Sequence, residues 1–129
     1  MKFSGIVTLV LGIFLFISPP EIAAGDMARK NSEGKVTIRV TYENPGKADP
    51  AFSVSMNTHS VNLDGYDMGE LSLLRDGKGR EYRGKWTSPE GGGHHISGVL
   101  LFEGLKPDAG KIELIIRDVA GIKERKFTW

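Results

Sequence analysis

The stretch Val36-Thr37-Ile38-Arg39-Val40-Thr41-Tyr42 puts an apolar residue at every second position, with Thr, Arg and Thr between them. Side chains alternate between the two faces of a strand with a period of two, so this spacing predicts a strand with one face buried and one wet. Asn44-Pro45-Gly46 and Asp49-Pro50 are turn chemistry and end it. Phe52, Val54 and Met56 then alternate with Ser53, Ser55 and Asn57, which predicts a second strand of the same kind.

Outward from this pair toward the C-terminus the pattern repeats. Leu71 to Arg75 and Arg80 to Arg83 flank Asp76-Gly77-Lys78-Gly79, a hairpin signal. Ile96 to Phe102 is almost continuously apolar and predicts a central strand. Lys106-Pro107-Asp108-Ala109-Gly110 turns the chain, after which Ile112, Leu114 and Ile116 alternate with Glu113 and Arg117. Ala120-Gly121 makes a further turn, and Phe127 with Trp129 closes on a last short strand. No window past the N-terminal segment carries an apolar repeat of 3.6. Roughly six or seven short strands with turn signals every 8–12 residues predict an all-β fold. The expectation is a single antiparallel β-sandwich, immunoglobulin-like, over residues 35–129, with a small barrel as the alternative.

Toward the N-terminus the composition changes twice. Residues 26–34 are short and polar and predict a flexible N-terminus. Residues 1–25 predict a signal peptide: Lys2 is the positive start, Gly5 to Ser18 the apolar run, and Ala23-Ala24-Gly25 the small residues of a cleavage site beyond Pro19-Pro20. The alternative is an uncleaved anchor, but a spanning helix needs about 20 apolar residues and the run before the prolines is shorter. The expected compartment is secreted or periplasmic, with a membrane partner only through the leader if it is uncleaved.

Composition narrows the function classes. Lys and Arg number 17 and Asp and Glu 16, a formal charge of +1. Such a balance argues against nucleic acid as a partner, which would call for a basic face. The densest charge cluster, Lys123-Glu124-Arg125-Lys126, is mixed in sign. There are no cysteines, which excludes disulfides, thiol catalysis and thiolate metal sites. Nothing in the chain resembles a nucleophile elbow, a phosphate loop or a paired-carboxylate motif. Ser60 and Ser97 stand near histidines without an identifiable third group. The expectation is that the protein is not an enzyme.

All three histidines lie in two segments, Asn57 to Asp67 and Gly91 to Gly98. Phe52, Val54 and Met56 share a parity that Val61 and Leu63 reverse, so the strand must break or bulge between Asn57 and Ser60, where His59 sits. Antiparallel pairing of the strand from Phe52 with that from Ile96 would bring His59, His94 and His95 to one rim, within reach of Asp64 and Asp67. Neutral imidazoles with a carboxylate suit zinc or copper. Gly91, Gly92 and Gly93 would let backbone approach a ligand closely. The alternative is that the imidazoles pack at a sandwich corner while the acids cap turns. Adjacent His94 and His95 share one ion only if their segment is irregular. Tyr66 is a candidate for a corner hydroxyl bonded to nearby backbone. Trp86 and Trp129 fit core or sheet-cover positions better than binding platforms.

Thr58-His59-Ser60-Val61 with Leu63-Asp64-Gly65-Tyr66, and Gly92-Gly93-His94-His95 with Ser97-Gly98, resemble segments of an uncharacterised family of small exported prokaryotic β-sandwich proteins. The resemblance covers about Val36 to Trp129, including Glu124-Arg125-Lys126-Phe127-Thr128-Trp129. It implies a secreted β domain and assigns no catalytic residue. The function expected is therefore a non-enzymatic secreted or periplasmic binding or accessory domain. It would take an unknown protein or small ligand at the histidine rim; the alternative is an extracytoplasmic zinc or copper protein.

Overall fold

A computed structural model of the chain describes residues 24–129. The leader expected over residues 1–25 lies outside them except for Ala24 and Gly25, which open a single 3-10 turn, Ala24–Met27. The strands follow as β1 (Ala28–Asn31), β2 (Val36–Tyr42), β3 (Ala51–Thr58), β4 (Ser72–Arg75), β5 (Glu81–Arg83), β6 (Lys85–Gly92), β7 (His95–Leu101), β8 (Glu113–Val119) and β9 (Ile122–Thr128). One helical turn, α1 (Met68–Leu71), precedes β4.

The strands form two sheets in the orders β1-β2-β3-β7-β6 and β5-β4-β8-β9, antiparallel at every pairing. Setting β1 aside, this is the A-B-E-D sheet packed on C′-C-F-G, the immunoglobulin-like sandwich. The period-two stretches decide it. Val36, Ile38, Val40 and Tyr42 from β2 and Phe52, Val54 and Met56 from β3 point inward and are buried. They meet Leu74, Leu114, Ile116 and Phe127 of the facing sheet in one core. Burying each such side chain stabilises the fold by about 1.5–3 kcal/mol before the entropy cost of ordering the chain is set against it.

The strands add to the sequence reading in three places. Residues 26–34 are not a flexible N-terminus: Ala28–Asn31 pair with Thr41 to Ile38 of β2. Arg29 Nε also donates to the Thr128 carbonyl oxygen at 2.9 Å, so backbone bonding outweighs the polar composition. Lys85–Gly92 is an edge strand, although Pro89 and two glycines disguise it. Its register slips between Thr87 and Glu90, with Ser88 at φ 50°, a bulge that accommodates the proline on an edge. The near-continuous apolar run of β7 does mark a central strand, but only Ile96, Gly98 and Leu100 turn inward. Leu101 is 40 % exposed.

The outward face of the second sheet holds a smaller apolar group. Leu73 and Ile115 are buried on it, among Arg75, Glu113, Arg117, Glu124 and Lys126. Long charged side chains cover apolar surface with their stems while their heads stay wet and pair, here Arg75 with Glu81 at 3.2 Å and Arg117 with Glu124 at 3.5 Å.

The register sorts the loops to two ends of the sandwich. Val36↔Thr58 and Asn57↔His95 mark one end, where the histidine segments lie. Tyr42↔Phe52 and Ala51↔Leu101 mark the other.

Candidate functional site

At the first end, Thr58 makes the parity break that the sequence requires. Its Oγ1 donates to the Lys35 carbonyl oxygen at 2.7 Å and accepts from the backbone N–H groups of Ser60 and Val61. The strand stops there, and Leu63 re-enters the core on the opposite parity. The β6–β7 turn is then sewn to this segment: Thr58 N–H donates to His94 O at 3.0 Å and Leu63 N–H to Gly93 O at 2.8 Å. Asp64 Oδ1 accepts from Gly93 N–H at 2.9 Å.

The two histidine segments therefore meet, but their imidazoles do not converge. His59, His94 and His95 are all exposed. His95 Nδ1 is bonded to Asn57 Oδ1, its cross-strand partner, at 2.6 Å. Asp64 is occupied by the Gly93 amide, and Asp67 Oδ1 caps α1 through Gly69 and Glu70 N–H. Among the described residues no group of three or more His, Cys, Asp or Glu side chains is placed to hold one metal ion. Of the zinc or copper ligand set read from the sequence, Asp64 and Asp67 accept from turn amides, His95 bonds Asn57, and His59 and His94 are exposed. The glycines have a local duty too. Gly91 has φ 85°, and a Cβ on it would strike the His95 carbonyl oxygen. Gly93 has φ 65° at the first central position of the two-residue β6–β7 turn, as a type II′ turn requires. The close approach the glycines permit is to their own hairpin. Tyr66 does bond backbone, but at a distant turn: its hydroxyl accepts from Ala120 N–H at 3.2 Å.

A cleft of about 480 Å³ lies at the opposite end. Its floor is Tyr42, Trp129, Met27 and Ile112, and its walls are two turns, one through Pro45 to Ala48 and one through Leu105 to Gly110. Tyr42 stacks on Phe52 with centroids 4.7 Å apart, and Trp129 sits 5.0 Å from Phe52. Trp129 is held on three sides: its backbone pairs both ways with Ile112, its Nε1 donates to Met27 O at 2.8 Å, and the Arg29 guanidinium lies 5.6 Å from its ring. Burial raises the Tyr42 hydroxyl pKa above the ordinary tyrosine value, with the Gly46 backbone pulling the other way. The phenol is therefore protonated at neutral pH.

The walls are tied to each other. Asn44-Pro45-Gly46-Lys47 closes with Lys47 N–H on Asn44 O at 3.2 Å and Gly46 at φ 84°, a type II turn with proline and glycine where that turn wants them. The Asn44 side chain spans its own loop, donating to Asp49 O and accepting from Ala51 N–H. Leu105 N–H donates to Ala48 O at 2.8 Å, and Gly104 N–H to Asp49 Oδ1 at 3.0 Å. Bonds across the two loops keep the cleft open without a ligand to order it, and a preformed site loses less entropy on binding.

The sequence shows each wall only as turn chemistry and Tyr42 and Trp129 only as core. Their meeting depends on β2 and β9 ending on the same side of the sandwich, which no local pattern carries. A shallower depression of about 400 Å³ flanks β6, lined by Tyr66, Trp86 and Pro89 with Asp64, Asp67 and Glu90. Trp86 is half-buried and its ring covers Gly98, the sheet-cover role expected of it.

Comparison with protein-family models, with curated proteins and with solved structures gives no match to this chain. Among the described residues no helix is long and apolar enough to cross a membrane.

Proposed function

We propose that this chain is a non-enzymatic, secreted or periplasmic binding domain whose ligand seats its apolar part in the cleft floored by Tyr42 and Trp129, whose rings meet edge to face. The observation that carries the reading is that cleft: an aromatic floor between two turns already bonded to each other. Ligand sites are concave, mostly apolar and largely preformed, and this cleft has those features. Export rests on the leader pattern of residues 1–25 and on the resemblance to small exported β-sandwich proteins.

The test is a fluorescence titration with the neutral probe N-phenyl-1-naphthylamine. Saturable enhancement is expected with wild-type protein, and its loss in Ala48→Trp, which places an indole in the cleft from an exposed position. Unaltered probe binding by a normally melting Ala48→Trp protein would remove the cleft as the site. Intact mass of the exported protein should begin at Gly25 or Asp26; a full-length, detergent-extracted species would refute the compartment.

A further inference from the structure

We infer that the ligand of this cleft is an amphipathic anion, with an apolar body on the aromatic floor and a carboxylate or phosphate head between Lys47 and Lys106. The inference rests on the cleft being the binding site and adds the sign and place of the ligand's charge.

The lining carries charge at two positions, and both are lysines, one on each wall. Four other cations are paired, Arg75 with Glu81, Arg80 with Asp76 and Asp108, and Arg117 and Lys126 with Glu124, and none of these four borders the cleft. Among the described residues neither Lys47 nor Lys106 has a carboxylate within ion-pair distance. Two acids on the same loops have partners of their own. Asp49 accepts from Gly104 N–H, and Asp108 is held by Arg80 at 2.5 Å. A third cation, Arg29, lies against the Trp129 ring at the edge of the floor.

Apolar contact alone is indifferent to the sign of a head group; these lysines are not. A cationic head would be repelled at the mouth, and a neutral one would gain hydrogen bonds from the ammonium groups but no charge–charge attraction. An anion gains both a Coulomb term and charge-assisted hydrogen bonds. Lysine also suits a head whose pose varies, because its flexible stem brings three donors to a point charge without imposing the planar fork of arginine.

Decanoate, decyl phosphate, decanol and decyltrimethylammonium, each below its micelle-forming concentration, are titrated against bound N-phenyl-1-naphthylamine. At low ionic strength the anions should displace the probe at about tenfold lower concentration than decanol, with the cation weakest. The advantage should shrink as salt is added. It should vanish in the Lys47→Gln/Lys106→Gln double variant while decanol binds as before. Decanoate outcompeting decyl phosphate assigns a carboxylate ligand, and the reverse order a phosphate. Equal displacement by decanol and the anions, or an anion preference that survives the double variant, overturns the charged-head inference and leaves the cleft standing. If the probe itself does not bind, the cleft reading falls and this inference falls with it.

Discussion

Arg125 donates from Nη1 to the Val36 carbonyl oxygen at 2.6 Å, joining β9 to the first residue of β2 through the interior of the sandwich. The side chain is 1 % exposed, and it also reaches Asn31 Oδ1 at 3.0 Å and Val119 O at 3.4 Å. Among the described residues no carboxylate lies within ion-pair distance of it. A buried guanidinium bonded mainly to carbonyls, with its Nε left without a partner, ties β1, β2, β8 and β9 together at the histidine end.

Arg125→Met keeps the volume and removes the donors, leaving the Val36 and Val119 carbonyls without them. Hydrogen bonds to a charged group contribute about 1.5–3 kcal/mol each, so the variant should lose roughly 2–4 kcal/mol in urea denaturation. A loss below about 0.5 kcal/mol would mean that water replaces the guanidinium at no cost.

Asp76 organises the β4–β5 turn and makes stability depend on acid. Burial by itself raises its pKa, but Arg80 Nε at 2.7 Å, the Tyr82 hydroxyl at 2.9 Å and the Lys78 and Arg80 amides outweigh that and hold it at about 2. The folded value lies below the unfolded value near ~3.9, so the stabilisation is fully present above that and is lost as pH falls toward 2. Melting temperatures followed from pH 5 down to pH 2 should drop more steeply for wild type than for Asp76→Asn, which should already melt lower at neutral pH. Parallel curves for the two proteins would contradict this.

Gly91→Ala tests whether the glycine run serves the hairpin or a ligand. The new methyl meets the His95 carbonyl oxygen at a backbone angle of φ 85°, so both strain and a backbone clash oppose it. The variant should be destabilised by more than about 1 kcal/mol, with faster amide exchange at Ile96 and Ser97. Gly93→Ala carries the φ penalty without the clash, because nothing lies within 4 Å of its Cβ position, and should cost less. Equal effects would show that contact with His95 is not what requires glycine at 91.

The fold was open to reading because its rules are local. Val36 to Tyr42 and Phe52 to Met56 declare their buried faces by parity, Asp76-Gly77-Lys78-Gly79 declares a hairpin, and the spacing of such signals declares a sandwich. The strands that escaped were those whose pairing contradicts composition. Lys85–Gly92 hides behind Pro89 and glycines because an edge strand tolerates both, and Ala28–Asn31 behind polar residues because its pairing with β2 uses backbone groups.

The candidate site divides along the same line. That the His59 and His94-His95 segments adjoin follows from parity and antiparallel pairing, and Asn57↔His95 is that contact. What each side chain does there was not determined, because the bonds of His95 to Asn57, of Asp64 to the Gly93 amide and of Asp67 to the Gly69 and Glu70 amides depend on how the two loops fold. The cleft lay wholly beyond the sequence, since Tyr42, Lys47, Lys106 and Trp129 share no period, motif or neighbourhood along the chain. By itself the sequence determined which residues are buried and where the chain turns, because those depend on neighbours a few positions away. Only the tertiary structure decided which turns face each other, because that depends on strand order, and strand order is settled by the packing of the whole core.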